Sequence, residues 1–256
     1  MRILITNDDG IHAPGLKILS ESISQFGEVV VVAPDRERSA CSHGMTMTEP
    51  LRVYEQKWKF CRAYSVTGLP VDCINVGLTL PILDSCDLIL SGLNSGPNLG
   101  FDITYSGTVA GAMEGIINGI RSISLSMAAF GDKEHFFESG AIWLADHFNW
   151  ITKVSLPSRT FLNVNFPSLP YGEYQGMKFV KMGGRVYRER LEERIDPWGK
   201  PYYWQGGLEV EGKPEPKTDF EAILGGYVAI TPISLDWTQN DALRDLQSDS
   251  QKVGFQ

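Results

Sequence analysis

Two adjacent carboxylates, Asp8 and Asp9, stand one residue beyond the short apolar run RILIT, residues 2–6, in a 256-residue chain. Neighbouring anions repel, and half-buried carboxylates lose hydration unless a cation lies between them. The residues leave two readings open. In one, an aspartate caps the helix that starts near Pro14 and the other is solvated. In the other, a hard divalent cation such as Mg²⁺ or Mn²⁺ takes oxygen from one or both side chains; such ions prefer carboxylates, amide carbonyls, hydroxyls and water. Gly10 would then let the backbone turn away from the ion.

Other oxygen donors lie in two further polar loops. Ser39 sits in DRERSACSHG and on its own is either loop filler or a hydroxyl ligand. Asn94 and Asn98 sit in SGLNSGPNLG, whose glycines and proline require an irregular loop; each is a turn residue or a site residue. In YSGTVAGAMEG, residues 105–115, Ser106 or Thr108 would make an ordinary helix N-cap. The same turn, with Gly107 between them, presents free N–H groups and a positive dipole end to a phosphate. Arg36 and Arg38 flank Ser39, and His12 and His43 lie in the loops nearest the aspartates; all four are candidates for substrate contact, whereas His147 reads as structural. Neither GxxxxGK[ST] nor GxGxxG occurs, which argues against a P-loop NTPase or a dinucleotide fold, and HExxH and GxSxG are absent too.

The elements that must position these loops alternate. Apolar runs at 2–6, 28–34, 87–92, 122–127 and 160–167 read as buried strands, and periodic stretches at 14–26, 71–80, 108–119 and 141–151 read as helices. Strands with near-continuous apolar sequence between helices indicate a mostly parallel α/β sheet covered on both faces. Ligands in such sheets sit beyond the carboxyl ends of the strands, where NDDG, DRERS and SGLNSGPNLG fall. After residue 167 the pattern changes to glycine, aromatic residues and charge. The reading is a core over 1–167 and, over 168–256, a hairpin or arm region with one strand (227–234) returning to the core and a polar tail. Such arms pack on neighbouring subunits.

Composition narrows the partners. A net charge of −8 leaves no basic surplus for a nucleic-acid backbone. No apolar stretch approaches the roughly 18 residues of a membrane span. Cys41, Cys61, Cys73 and Cys86 form no CxxC pair, and the expectation is free thiols in the cytoplasm.

Taken together, ILITNDDGIHAPGL (3–16), VVAPDRERSACSHGMT (31–46), SGLNSGPNLGFDITYSGTVAGAMEG (91–115), FLNVNFP (161–167) and TDFEAILGGYVAITPIS (218–234) resemble the SurE, or survival protein, family of nucleotidases. The resemblance implies a Rossmann-like domain whose C-terminal region is exchanged between subunits, giving homodimers or tetramers. It implies a metal-dependent phosphatase that releases phosphate from nucleoside 5′-monophosphates, with 3′-monophosphates left open as a second class. It implies one Mg²⁺ or Mn²⁺ per subunit, held by Asp8, Asp9, Ser39 and Asn94, and a phosphate site lined by Asn94, Asn98, Ser106, Gly107 and Thr108. Asp8 and Asp9 are then the catalytic pair, Asp8 being the first choice for general base beside a metal-activated water. The chain departs from the family in TGLPVDC (67–73) and at Arg121–Ser122, both away from the ligand set.

Two alternatives are weighed against this. Phosphatases with an aspartyl-phosphate intermediate use DxD after the first strand, and here the aspartates are adjacent. A phospho-receiver module needs a phosphorylatable Asp at the end of its third strand, where this chain reads LILSGLN.

Overall fold

Alternation of side chains along the strands decides the layering. The structure, a computed structural model, describes residues 1–131, 133–184, 187–210 and 214–252. β1 (Arg2–Thr6) sends Ile3 and Ile5 to one face of the sheet and Leu4 to the other. β2 (Glu28–Pro34) splits Val29 and Val31 from Val30 and Val32 in the same way. Period-2 geometry therefore feeds two apolar clusters from one continuous apolar run.

The first cluster lies under α1 (Pro14–Ile23) and α4 (Phe137–Ile151), through Leu16, Leu19, Ile23, Trp143, Leu144, Phe148 and Ile151. The second lies under α2 (Pro70–Thr79), through Cys73 and Ile74. On that side α3 (Gly107–Ile117) runs against α2 and the two strands β5 (Leu88–Ser95) and β6 (Arg121–Ala128).

Two short strands extend the sheet at one edge, β3 (Val53–Gln56) and β4 (Arg62–Val66); β7 (Thr160–Pro167), β8 (Met177–Phe179) and β11 (Val228–Ser234) extend it at the other. The spatial order is β3-β4-β2-β1-β5-β6-β7-β11-β8. The pairs from β4 to β7 are parallel, whereas β3 on β4 and β11 on β7 are antiparallel. This is a mostly parallel α/β sheet whose strand order reverses at β1, with β2 on one side and β5 on the other, and beyond the strand ends at such a point ligands bind.

The segment after residue 167 adds β8, α5 (Asp219–Leu224) and β11 to the core. It also projects an antiparallel hairpin of β9 (Tyr187–Ile195) and β10 (Pro201–Val210), and ends in α6 (Asn240–Lys252). Among the described residues no helix is long and apolar enough to cross a membrane.

Candidate active site

The crevice is built by three loops. Asn7, fully buried at the end of β1, ties the first: its amide nitrogen donates to Gly10 O at 3.1 Å, and its Oδ1 accepts from Gly10 N at 3.2 Å. Gly10 has φ +95°, a conformation costly for any other side chain, and this tight turn holds Asp8 and Asp9 at the strand end. The loop after β2 is drawn onto the first by Arg38 N, which donates to Asp8 O at 2.7 Å. The loop from β5 joins through Ser95 N, which donates to Asp9 Oδ2 at 2.9 Å.

Asp8 is held on the start of α3. Thr108 N donates to Asp8 Oδ2 at 3.0 Å, and the Thr108 hydroxyl donates to Oδ1. Burial pushes the Asp8 carboxyl above its usual range, against the Thr108 hydrogen bonds that favour the ionised form. Burial also raises Asp9, to about 6, with the Asp8 charge next in weight and Glu37 adding to it, while the Ser95 N–H acts in the opposite direction. Among the described residues neither aspartate is ion-paired with an arginine, lysine or histidine.

Of the four residues expected to ligate metal, Asp9 and Ser39 line one cavity, while Asp8 precedes Asp9 and Asn94 precedes Ser95 in the chain. That cavity, of about 300 Å³, is also lined by Glu37, Ser95 and the start of α1 at Ala13–Gly15. Ser39 is exposed and donates its hydroxyl to Glu37 Oε1 at 2.6 Å. Asn94 precedes Ser95 on the same strand end and donates its Nδ2 to Gly96 O at 3.0 Å, so its carbonyl oxygen is the atom left for a cation. Two carboxylates, a hydroxyl and an amide carbonyl are a hard-oxygen set, and a divalent ion would relieve carboxyls whose ionisation is opposed by burial and, at Asp9, by the Asp8 charge. The donor set fits such an ion.

The residues expected around phosphate divide. Ser106 caps α3, accepting from Val109 N at 3.0 Å, and Thr108 is committed to Asp8. Gly107 packs on Asp8 so closely that a Cβ there would lie 2.8 Å from Asp8 Cβ and 2.6 Å from Cys41 Sγ. Asn98 is buried and points inward: its Nδ2 donates to Ser126 Oγ at 2.8 Å, and its backbone is gripped by two asparagines of β7. Asn98 N donates to Asn165 Oδ1 at 2.9 Å, and Asn98 O accepts from Asn163 Nδ2 and Asn165 Nδ2, each at 2.9 Å.

Of the flanking cations and histidines, Arg38 donates to Asp35 Oδ1 and Thr67 O, and His43 Nε2 lies 3.1 Å from Glu114 Oε2 of α3. His12 and His147 face other cavities and packing: His12 lines a lysine-bearing pocket, and His147 stacks on Trp143 at 4.2 Å.

Sequence reasoning passed over Asn7, Glu37, Ser95, Asn163, Asn165 and Asp219. Asp219 is buried and accepts from Gly100 N at 2.7 Å and from Gly183 N at 2.8 Å, which joins the Asn98 loop to the segment leading into the hairpin. A signal existed for the asparagines of β7: two amides at i and i+2 in an otherwise apolar strand must face the same side and find partners there.

Comparison with known proteins agrees with this layout. The family model described as "Survival protein SurE" matches residues 3–189. A protein of Legionella pneumophila (strain Paris) named 5′-nucleotidase SurE is 44% identical over 238 residues, covering 93% of this chain and 92% of its own. One of the same name from Aquifex aeolicus (strain VF5) is 44% identical over 245 residues, covering 95% of this chain and 96% of its own. The crystal structure of the SurE protein from Aquifex aeolicus superposes with a TM-score of 0.84 at 41% identity, over 97% of this chain and 99% of that one. With a family model matched over residues 3–189 and relatives 44% identical over nearly the whole length, the chain belongs to the SurE family.

Proposed function

We propose that the chain is a 5′-nucleotidase that hydrolyses nucleoside monophosphates to nucleoside and phosphate, with one Mg²⁺ or Mn²⁺ held by Asp8, Asp9, Ser39 and Asn94. The observation carrying this reading is that Asp9 and Ser39 line one cavity with Ser95, Asp8 and Asn94 being the chain neighbours of Asp9 and Ser95, and that no cationic side chain among the described residues pairs with either aspartate. The name borne by the relatives supplies the substrate class. When bound, a divalent ion supplies charge neutralisation and Lewis acidity toward a phosphoryl oxygen.

The rest is the work of the chain. Thr108 fixes Asp8 through both carboxylate oxygens, and Ser95 N–H fixes one oxygen of Asp9, so the charged groups are preorganised before substrate arrives. Asp8 is thereby engaged on both sides, and Asp9, which lines the cavity, is the carboxylate placed to accept the proton of an attacking water. The start of α1 carries no side-chain cap, and Gly15 lines the same cavity; Ala13 N donates to Gly10 O and Pro14 has no N–H, so the Gly15 N–H is the donor this helix start offers to phosphate charge. The hairpin exposes Leu191, Trp198 and Trp204, a surface suited to a second subunit, in keeping with an exchanged C-terminal region and a homodimer or tetramer. Four free thiols suit the cytoplasm.

The test is phosphate release from the 5′- and 3′-monophosphates of the four common nucleosides, with Mg²⁺, with Mn²⁺ and with chelator. Metal-dependent release is expected, strongest on 5′-monophosphates. Asp8→Asn should abolish most turnover and weaken metal binding while the circular dichroism spectrum is retained. No release from any monophosphate with either metal would refute the reading.

A further inference from the structure

A second cavity, of about 600 Å³, is lined in part by Ile11, His12 and Lys17, and the nucleotidase reading makes no use of it. It is lined by Lys17 of α1, by the stretch Lys57-Trp58-Lys59-Phe60 between β3 and β4, and by Ile11, His12 and Glu21. Three lysines line one cavity in a chain of net charge −8. Like charges brought together repel, and among the described residues none of these lysines is ion-paired. Glu21 is the single carboxylate in the lining and does not balance three cations.

The wall between the lysines is aromatic. Trp58 and Phe60 stand with ring centroids 5.4 Å apart and planes inclined at 47°. Trp58 is half-buried and packs against the main apolar core, so its ring is a supported surface rather than a loose tip. Its backbone is fixed as well, Trp58 N donating to Gln56 O at 3.0 Å. Ammonium groups beside a supported indole complement a ligand that carries a phosphate at one end and a flat π-face at the other. Lysine acts here as a point charge, tolerant of phosphate geometry.

We propose that this pocket is a second nucleotide-binding site, separate from the Asp8–Asp9 crevice, in which phosphate lies among Lys17, Lys57 and Lys59 and the base lies against Trp58. It sits against the segment that runs from Gly10 through His12 into α1, the same segment whose Ala13–Gly15 portion lines the active-site cavity. A ligand bound there therefore touches the back of the loop that carries Asp8 and Asp9. This proposal is independent of whether the crevice hydrolyses nucleotides.

The test titrates the full chain, with chelator present and in the Asp9→Asn background, with ADP, pyrophosphate and adenosine, following tryptophan fluorescence and calorimetric heat. Saturable ADP binding is expected, at least tenfold weaker in Lys57→Ala/Lys59→Ala, with the fluorescence change lost in Trp58→Leu while calorimetric binding persists more weakly. Raising salt from 50 to 200 mM should weaken ADP binding in the parent and have less effect in the double lysine variant. ADP affinity unchanged by the double lysine substitution, or no saturable binding, would overturn the proposal. Pyrophosphate binding as tightly as ADP, unaffected by Trp58→Leu, would overturn the assignment of a nucleotide and leave a simple anion patch. Metal-dependent phosphate release at saturating monophosphate reports on the crevice alone and separates the two readings.

Discussion

Asp9→Asn offers a direct reading of the electrostatic stress at the crevice. Asp9 is raised from 3.8 to about 6, first by burial and then by the charge of Asp8. That rise opposes ionisation in the folded chain by about 3 kcal/mol at full effect, and partial exposure reduces the usable figure to about 1–3 kcal/mol. Below pH 3.8 the carboxyl is protonated in both folded and unfolded chains and nothing is lost. As pH climbs through the interval up to about 6, the unfolded chain gives up its proton first, so the folded state loses stability and regains none above it. An asparagine keeps an oxygen for Ser95 N–H and carries no charge. In chelator, urea denaturation should therefore show the variant more stable than the parent at pH 7.5, with a gap that grows by about 1–2 kcal/mol between pH 4.5 and pH 7.5. At about 2–4 °C per kcal/mol the same gap appears in Tm. Added Mg²⁺ or Mn²⁺ should stabilise the parent and not the variant, reversing the order. A pH-independent gap, or a variant less stable than the parent at pH 7.5 in chelator, would refute the reasoning.

Three further substitutions test the scaffold. Gly107→Ala places a Cβ 2.8 Å from Asp8 Cβ and 2.9 Å from its Oδ2, so α3 or the aspartate must shift; stability should fall by about 1–3 kcal/mol and turnover by tenfold or more, read by denaturation and phosphate release. Asn165→Leu leaves Asn98 N–H without its acceptor in a buried setting, and should destabilise by about 1–3 kcal/mol in urea denaturation. Asp219→Ala removes the acceptor shared by Gly100 N and Gly183 N; amide exchange at Gly100 and Gly183 should accelerate, and unchanged exchange would show that the staple does not hold the loop.

What could be read from the sequence followed the strength of the periodic signal. β1, β2 and β7 match their apolar runs because burial on both faces demands predominantly apolar sequence, broken within β7 by Asn163 and Asn165, which find buried partners. β3 and β4 escaped: VYEQ is the exposed edge strand, and RAYSV, between it and β2, is five residues long and mixes polar residues into its run. β5 runs on from Gly92 to Ser95, past the point where glycine and asparagine suggest a loop, because a register shift between Ser91 and Asn94 lets pairing with β6 resume. α5 has six residues, too few for a period, although Thr218 caps it by accepting from Glu221 N at 3.4 Å, a Thr-x-x-Glu signal present in TDFE.

In the site, the polar residues at strand ends were legible by type and place. What the sequence could not reveal was which donors are already engaged. Thr108 lends its N–H and hydroxyl to Asp8, and Asn98 turns into the sheet toward β6 and β7; both follow from tertiary approach across 100 and 28–67 residues of chain.

The long staples also set an order of events during synthesis. The loop of Asn98 is clasped by Asn163 and Asn165 from 65 and 67 residues downstream, and at Gly100 by Asp219, 119 residues downstream. Asp8 and Asp9 are made about 210 residues before Asp219, yet the Asn98 loop is secured only once β7 and then Asp219 have emerged. At about 5–20 residues per second, that interval amounts to about 10–40 seconds for each new molecule, during which the acidic pair exists without its finished enclosure. A nascent chain released early would carry the aspartates without the closed crevice, and a fragment ending at residue 167 would lack the acceptor for Gly100 N. Competence is a property that arrives with the last third of the chain.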